Sequence, residues 1–512
     1  MKKLLISALC LAAMWSCSTD DPATPENQAG DMYMQLSLKM ETKSSTDEAG
    51  DTNSNATPDK EEGKDYENKV SSVDIVLVNG DQLVKAKNVV PAMATTDTYV
   101  ASFDTQELTA GASYTVYIYA NCNAPDAEPL NLHATSTADI ATIANRNKFW
   151  MTNAEVAQNI PLPADLSPYT QPQTPLNLGT HKVERSMARF DYMAINNNVY
   201  TVGKAADGTA TVNVTLTDAA VINQSKEFYM LRRVSADGTN TNWTVGGAET
   251  TTNYVVDTDY ATKANGYDAN QVNNFDAHMT APATWTWKSL AGLSEDDNWD
   301  GTATNDHNPS SYKIMQYVKE NTLPNIPAQQ KGLTTAVVFK GQITATENAP
   351  EALRNAITTG TATIYVFNNT LYGTWEAVAA AAATNADATL TAAYNQVNAK
   401  GTAAVAADYA AAGFTGYTPV DGKYYTYYYY YNRHNDNLQP YTMGAMEFAV
   451  VRNNVYKLCV DNIVKFGHPT PGGNDPDPDP ENPDDPDESV NYYFNVTVKV
   501  LPWVVRVNHI EF

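Results

Sequence analysis

Residues 32–40 alternate apolar and polar without a break: Met32, Met34, Leu36, Leu38 and Met40 form one face, with Tyr33, Gln35, Ser37 and Lys39 on the other. A period of two with one apolar face predicts a half-buried β-strand. From Val70 onward, short strand-like runs follow at Val73–Val78, Thr98–Phe103 and Tyr114–Tyr119, separated by turn residues such as Asn79-Gly80 and Gly111. Further runs lie at Lys182–Ile195 and Thr211–Leu216. A second series covers Thr335–Thr344, Thr361–Phe367, Tyr424–Tyr431, Met446–Val451 and Val455–Val464. Many short strands without long intervening helices predict an all-β chain of two β-sandwiches, 70–225 and 226–466.

Two stretches interrupt this rhythm. Residues 240–310 are rich in Asn, Thr and Asp and predict long surface loops. Residues 375–412 are rich in Ala, the best helix former, and Gly401 suits a helix stop, so a small helical insertion is expected there. Residues 467–490 form a linker whose core, 475–488, holds eight acidic residues and five prolines and no basic residue. Alternating Pro and like charges make such a segment stiff and extended.

Behind the linker, in the terminal segment 491–512, the pattern of the first strand returns. Tyr492, Phe494, Val496, Val498 and Val500 meet Met32, Met34, Leu36, Leu38 and Met40 position for position. The intervening pairs are Tyr33/Tyr493, Gln35/Asn495, Ser37/Thr497 and Lys39/Lys499, so all nine positions agree in class. One reading is two ordinary edge strands of separate sheets. The other is strand exchange, in which the first strand fills a groove of its own subunit, is removed, and is replaced by the tail of another copy. Burying five apolar side chains is worth roughly 1.5–3 kcal/mol each, so about 7–15 kcal/mol gross before ordering costs. The tail offers Phe and Val where the head offers Met, and β-branched residues suit strands better. Pro502 breaks the tail ladder, and Trp503, Val505 and Val507 begin a second strand beyond it.

The start of the chain reads as an export signal. Lys2 and Lys3 precede an apolar run from Leu4 to Met14 that is too short to span a membrane. Cys17 follows Ser16 and precedes Ser18-Thr19-Asp20-Asp21, which resembles a bacterial lipoprotein signal (1–16) with Cys17 as the acylated first residue. Ordinary secretion with cleavage elsewhere is the alternative. Residues 17–69 then form a propeptide that carries the exchangeable strand. Any attachment to the outer membrane is by lipid.

Composition narrows the function. Of 512 residues, 43% are hydrophobic, so global disorder is ruled out. Acidic residues exceed basic ones by 58 − 33 = 25, which opposes nucleic-acid binding. Cys122 and Cys459 are expected to be buried free thiols, although spacing alone does not exclude their pairing. Asp296-Asp297-Asn298-Trp299-Asp300-Gly301 opens like a calcium loop, but its twelfth position is His307 instead of Glu. None of the seven histidines stands at metal-ligand spacing with another His or Cys. No metal or cofactor is expected. No nucleophile elbow, phosphate loop or dinucleotide fingerprint is present, so no enzyme is expected. The Tyr424–Tyr431 run is expected to be buried on one face and wet on the other, with His434 capping it.

Several motifs together resemble the major fimbrilins of Bacteroidales, the subunits of type V pili. They are the lipoprotein start, Val116–Asn121, Arg185–Phe190, Tyr317–Asn321, Tyr430–Asp436, Phe448–Tyr456 and Val498–Trp503. The likeness is greatest to the major stalk subunit of the short fimbriae. The resemblance implies two transthyretin-like sandwiches, transport to the cell surface as an outer-membrane lipoprotein precursor, proteolytic removal of the first strand, and polymerisation by a C-terminal donor strand. It implies as partners other copies of the chain, accessory anchor and tip subunits, and a processing protease. Well-known members are cut after arginine, but here the first arginine is Arg146. Cleavage is therefore expected after Lys43, Lys60, Lys64 or Lys69, or by a protease of other specificity. The alternative function is a monomeric surface lipoprotein that binds a glycan or host protein.

Overall fold

A computed structural model describes residues 32–40, 63–95, 98–105, 108–204, 208–236, 243–246, 254–258, 285–297, 311–323, 333–434, 444, 446–471, 494–502 and 504–508. The chain is all-β, with two main cores.

The first core lies under one curled sheet. Its strands run in the order Gln82–Val89, Val73–Asn79, Ser113–Ala120, Met151–Asn153, Leu176–Arg185, Met32–Met40, Thr98–Thr105 and Ala92–Thr95, and Ala157–Pro161 adds to Ser113–Ala120. Alternation places Val73, Ile75 and Leu77 inside with Tyr114, Val116 and Ile118 of the neighbouring strand. The head strand contributes Met34, Leu36, Leu38 and Met40 to the same core.

The second core is clamped between two sheets. One runs Lys313–Val318, Ala188–Met193, Asn454–Ile463, Phe494–Pro502, Val504–Asn508. The other runs Val199–Lys204, Ala210–Ile222, Ala336–Ala345, Tyr424–Tyr431. Phe190, Tyr192, Tyr456 and Leu458 face Val214, Phe339, Tyr424 and Tyr428 across it.

The packing divides earlier than the expected position near 225. Met187 belongs to the first core and Ala188 to the second. The stretch 182–195, read from sequence as one strand-like run, falls in two strands of different sheets. At the join, the Ser186 N–H turns to the Trp150 carbonyl at 2.9 Å, and the Met187 carbonyl accepts from Asn453 N–H at 2.7 Å. The chain also returns: Phe228 packs into the first core. Expected strand 446–451 makes only isolated bridges, Phe448 to Arg433 and Val450 to Asn321.

The helical insertion forms as expected, with helices at Trp375–Ala383, Ala388–Asn398 and Ala406–Ala411. Thr374 and Asp387 cap the first two through their side chains. Phe367, Val378, Leu390, Val397 and Phe414 give this insertion a core of its own. The tyrosine run is buried on both faces, unlike the expectation. Tyr424, Tyr428 and Tyr430 enter the second core, while Tyr427 and Tyr431 pack with Trp285 and Val338 on the opposite face of the sheet.

Candidate strand-exchange slot

The head strand Met32–Met40 is an interior strand. It runs antiparallel to Thr98–Thr105, from Met32 opposite Thr105 to Lys39 opposite Thr98. On its other edge it runs parallel to Leu176–Arg185, from Met34 opposite Leu176 to Met40 opposite Val183. Met34, Leu36 and Leu38 are 0% exposed. Tyr33, Gln35 and Ser37 are half-buried and Lys39 is exposed, as the alternation requires. Taking this strand away would uncover the floor of the first core and two unpaired backbone edges. The result is a slot shaped for another strand.

One wall of the slot is irregular. Between Gln35 and Ser37, the opposing register jumps from Asn177 to Thr180. The extra residue is accommodated at Gly179, whose φ of +92° suits glycine. The Asn177 side-chain oxygen accepts from Gly179 N–H at 2.9 Å and holds the bulge. The bulge shifts the phase of the wall. Leu176 and Leu178 point inward before it, and His181 and Val183 point inward after it. His181 therefore stands opposite Leu38, buried to 4% exposure.

A second feature pins the entry to the first sandwich. The short helix Asp65–Asn68 places Glu67, fully buried, against Arg189 of the second sandwich. Arg189 Nη1 donates to the Glu67 carboxylate oxygens at 2.8 and 2.9 Å, and Lys64 N–H donates to Glu67 Oε2 at 2.6 Å. Arg189 also donates to both oxygens of Asp191, at 2.9 and 2.8 Å, and Lys457 Nζ donates to Asp191 at 2.8 Å and to Asp297. Alternating charges thus run unbroken between the two cores. Tyr317 Oη donates to Glu67 at 2.5 Å. Burial, and then the Glu67 charge, hold its phenol far above the ordinary tyrosine range.

The tail lies elsewhere. Phe494–Pro502 runs antiparallel along Asn454–Ile463 of the second sandwich, with Tyr456 opposite Val500 and Cys459 opposite Thr497. Val504–Asn508 folds back on it, with Lys499 opposite Val507. The two tail strands thus form an antiparallel pair in this sheet, and Val504 and Val505 also stand opposite Asn454 and Val455. Within one copy, the two matching segments occupy different sheets.

Of the expected site residues, Met32, Met34, Leu36, Leu38 and Met40 lie together in the slot. Phe494, Val496, Val498 and Val500 lie on the tail strand. Cys17, Lys43, Lys60, Tyr492 and Trp503 lie outside the described residues. Lys64 is half-buried beside Glu67, and Lys69 is exposed. The calcium-loop acids are otherwise engaged: Asp296 pairs with Lys313, and Asp297 with Lys457. Among the described residues, Cys122 and Cys459 are buried and form no disulfide. His434 is buried, with Nδ1 2.9 Å from Tyr456 Oη.

Sequence reasoning missed His181 and Glu67. A signal for the first existed: the alternation Leu176, Leu178 slips phase at Gly179 and resumes at His181, Val183. For Glu67 there was none, because its partner stands 122 positions away in sequence.

Residues 423–509 match the family described as major fimbrial subunit protein type IV, fimbrillin, C-terminal. That stretch holds the tyrosine strand, the Asn454–Ile463 strand and most of the tail. No curated protein matches the chain. Among solved structures, a fimbrilin (fimA) from Porphyromonas gingivalis W83 is 15% identical, covers 93% of this chain and 99% of its own, and gives a TM-score of 0.39. The tip fimbrial protein Mfa3 of Porphyromonas gingivalis, truncated at its C-terminus, is 9% identical, covers 92% and 100%, and gives 0.33.

Proposed function

We propose, for a chain whose residues 423–509 belong to the fimbrillin family, that it is a structural subunit of a cell-surface fimbria. In this reading it polymerises by donor-strand exchange and supports adhesion. The observation that carries the reading is the head strand. It is an N-terminal segment seated as an interior strand, and a tail segment of the same pattern is held at the end of another sheet.

Acylation at Cys17 holds the precursor at the outer membrane. A protease then cuts between the head strand and the first sandwich, and Met32–Met40 is released. The tail of another copy enters the slot.

A strand has only two hydrogen-bonding edges. In the slot, both edges of residues 492–500 are taken by Thr98–Thr105 and Leu176–Arg185. The incoming tail must therefore leave its own Asn454–Ile463 strand, and its hairpin with Val504–Asn508 must open. The acidic 467–490 linker then spans the distance between copies.

Glu67 limits where the cut falls. Cleavage after Lys69 would carry away Glu67, one of the two carboxylates on buried Arg189 and the acceptor of the Tyr317 hydroxyl. The proposed sites are therefore Lys43, Lys60 and Lys64. Accessory anchor and tip subunits would start and finish the fibre.

The test is electrophoresis in SDS, without boiling, of the protease-treated protein. Strand-exchanged fibres persist as a ladder. A ladder that survives deletion of residues 491–512 would exclude the tail as donor.

A further inference from the structure

His181 is a polar residue facing an apolar core. The bulge at Gly179 turns it inward; without the extra residue, Thr180 would take its place and His181 would face outward. One ring nitrogen, Nε2, lies 3.2 Å from the Leu178 carbonyl, the contact that the bulge itself creates. The other, Nδ1, is buried and has no hydrogen-bond partner among the described residues. A neutral ring is tolerated there, donating from Nε2 and leaving Nδ1 bare. A charged ring carries a proton on both nitrogens and would bury the second N–H against Leu38 without an acceptor.

We propose that His181 is the release trigger of the slot: protonation of its ring in mildly acidic medium loosens Met32–Met40 and opens the slot to an incoming tail. The proposal rests on the exchange reading above and adds its regulation.

The electrostatics agree. Burial pushes the His181 ring below its ordinary value, and only the Leu178 carbonyl opposes the shift. Among the described residues, no charged side chain contributes. On the head strand, Lys39 is exposed on the outer face. On its own strand, Lys182 also faces outward, where its ammonium lies 3.7 Å from Glu155 of the adjoining loop. In the nearby turn, Asp165 is exposed and bonds to Ser167 N–H. None of these compensates a buried imidazolium.

The sign follows. A histidine whose closed-state value lies below 6.5 binds its proton more readily once the strand has left. Closure is therefore fully stable above about pH 6.5. It is lost as pH falls from 6.5 toward the depressed value, by up to about tenfold in the opening equilibrium per pH unit, and levels off below that value.

Hydrogen exchange of the full-length chain tests this. Protection factors of the 32–40 amides, corrected for the intrinsic pH dependence, are followed from pH 7.5 to 5 and compared with those of the Val73–Asn79 strand. The wild-type protein should lose protection selectively in 32–40 below pH 6.5. His181→Gln, which cannot titrate, should not. Equal behaviour of the two proteins, or no selective loss in wild type, overturns the proposal. Should His181→Gln fail to fold, an NMR titration of the wild-type ring decides: a value at or above 6.5 with the head strand in place refutes the trigger. A synthetic peptide of residues 491–512 supplies the second arm. No capture at any pH by the protease-cut protein sinks the exchange reading itself, whereas capture independent of pH sinks only the role of His181.

Discussion

Glu67 and Arg189 meet across the seam between the two cores, with both carboxylate oxygens within 2.9 Å of one guanidinium nitrogen and neither side chain exposed. Arg189 keeps its two bonds to Asp191 when Glu67 is removed, but the donors Arg189 Nη1, Tyr317 Oη and Lys64 N–H lose this acceptor, at about 1–3 kcal/mol for a donor left unsatisfied. Glu67→Ala should therefore lower stability by about 1–3 kcal/mol, measured by urea unfolding, and Glu67→Gln, which keeps one acceptor oxygen, should lower it less.

The same contact fixes the mature N-terminus. Mass spectrometry of assembled subunits should find a first residue at or before Asp65. A first residue at Val70 would mean that Glu67 is dispensable in the fibre.

Leu36 and Val496 should respond in opposite states. Leu36 is fully buried in the precursor, so Leu36→Ala should cost about 2–5 kcal/mol there. It should leave the assembled fibre unchanged, because the processed subunit no longer contains it. Val496→Ala should leave the first core of the precursor intact and weaken the fibre against heating in SDS. Melting the precursor and the fibre separately checks both.

Much of this was legible in the sequence because alternation reports burial directly. Met32–Met40 was read at its own strand's residues, and the helical insertion where Ala content and caps agree, while the tail reading of 492–500 overlaps a strand that runs from Phe494 through Pro502. The seam between the cores was not legible. Arg185 and Ala188 belong to one continuous strand-like run, and only the hydrogen bonds of Ser186 and Met187 with distant partners split it. The buried charges were equally hidden, since Glu67, Arg189, Asp191 and Lys457 become neighbours only when two sheets meet.

Cys122 should behave as an inert thiol. Burial, and then the Asp74 charge, raise it well above the ordinary value. Iodoacetamide at pH 8 should not modify it in the native protein and should do so in urea.

The exchange itself can be caught as a covalent bond. By alignment of head and tail, Thr497 of one copy takes the place of Ser37, which stands opposite Val100. In the stored hairpin, Thr497 stands opposite native Cys459. Directly opposed strand positions lie about 4.5–5.5 Å apart, within disulfide reach. In protein carrying Thr497→Cys and Val100→Cys, oxidation before processing should link positions 459 and 497 within one chain. Oxidation after processing should link 497 to 100 of another copy and give a ladder on non-reducing gels. A protein that yields only the intramolecular 459–497 bond, however completely it has been processed, would contradict the account.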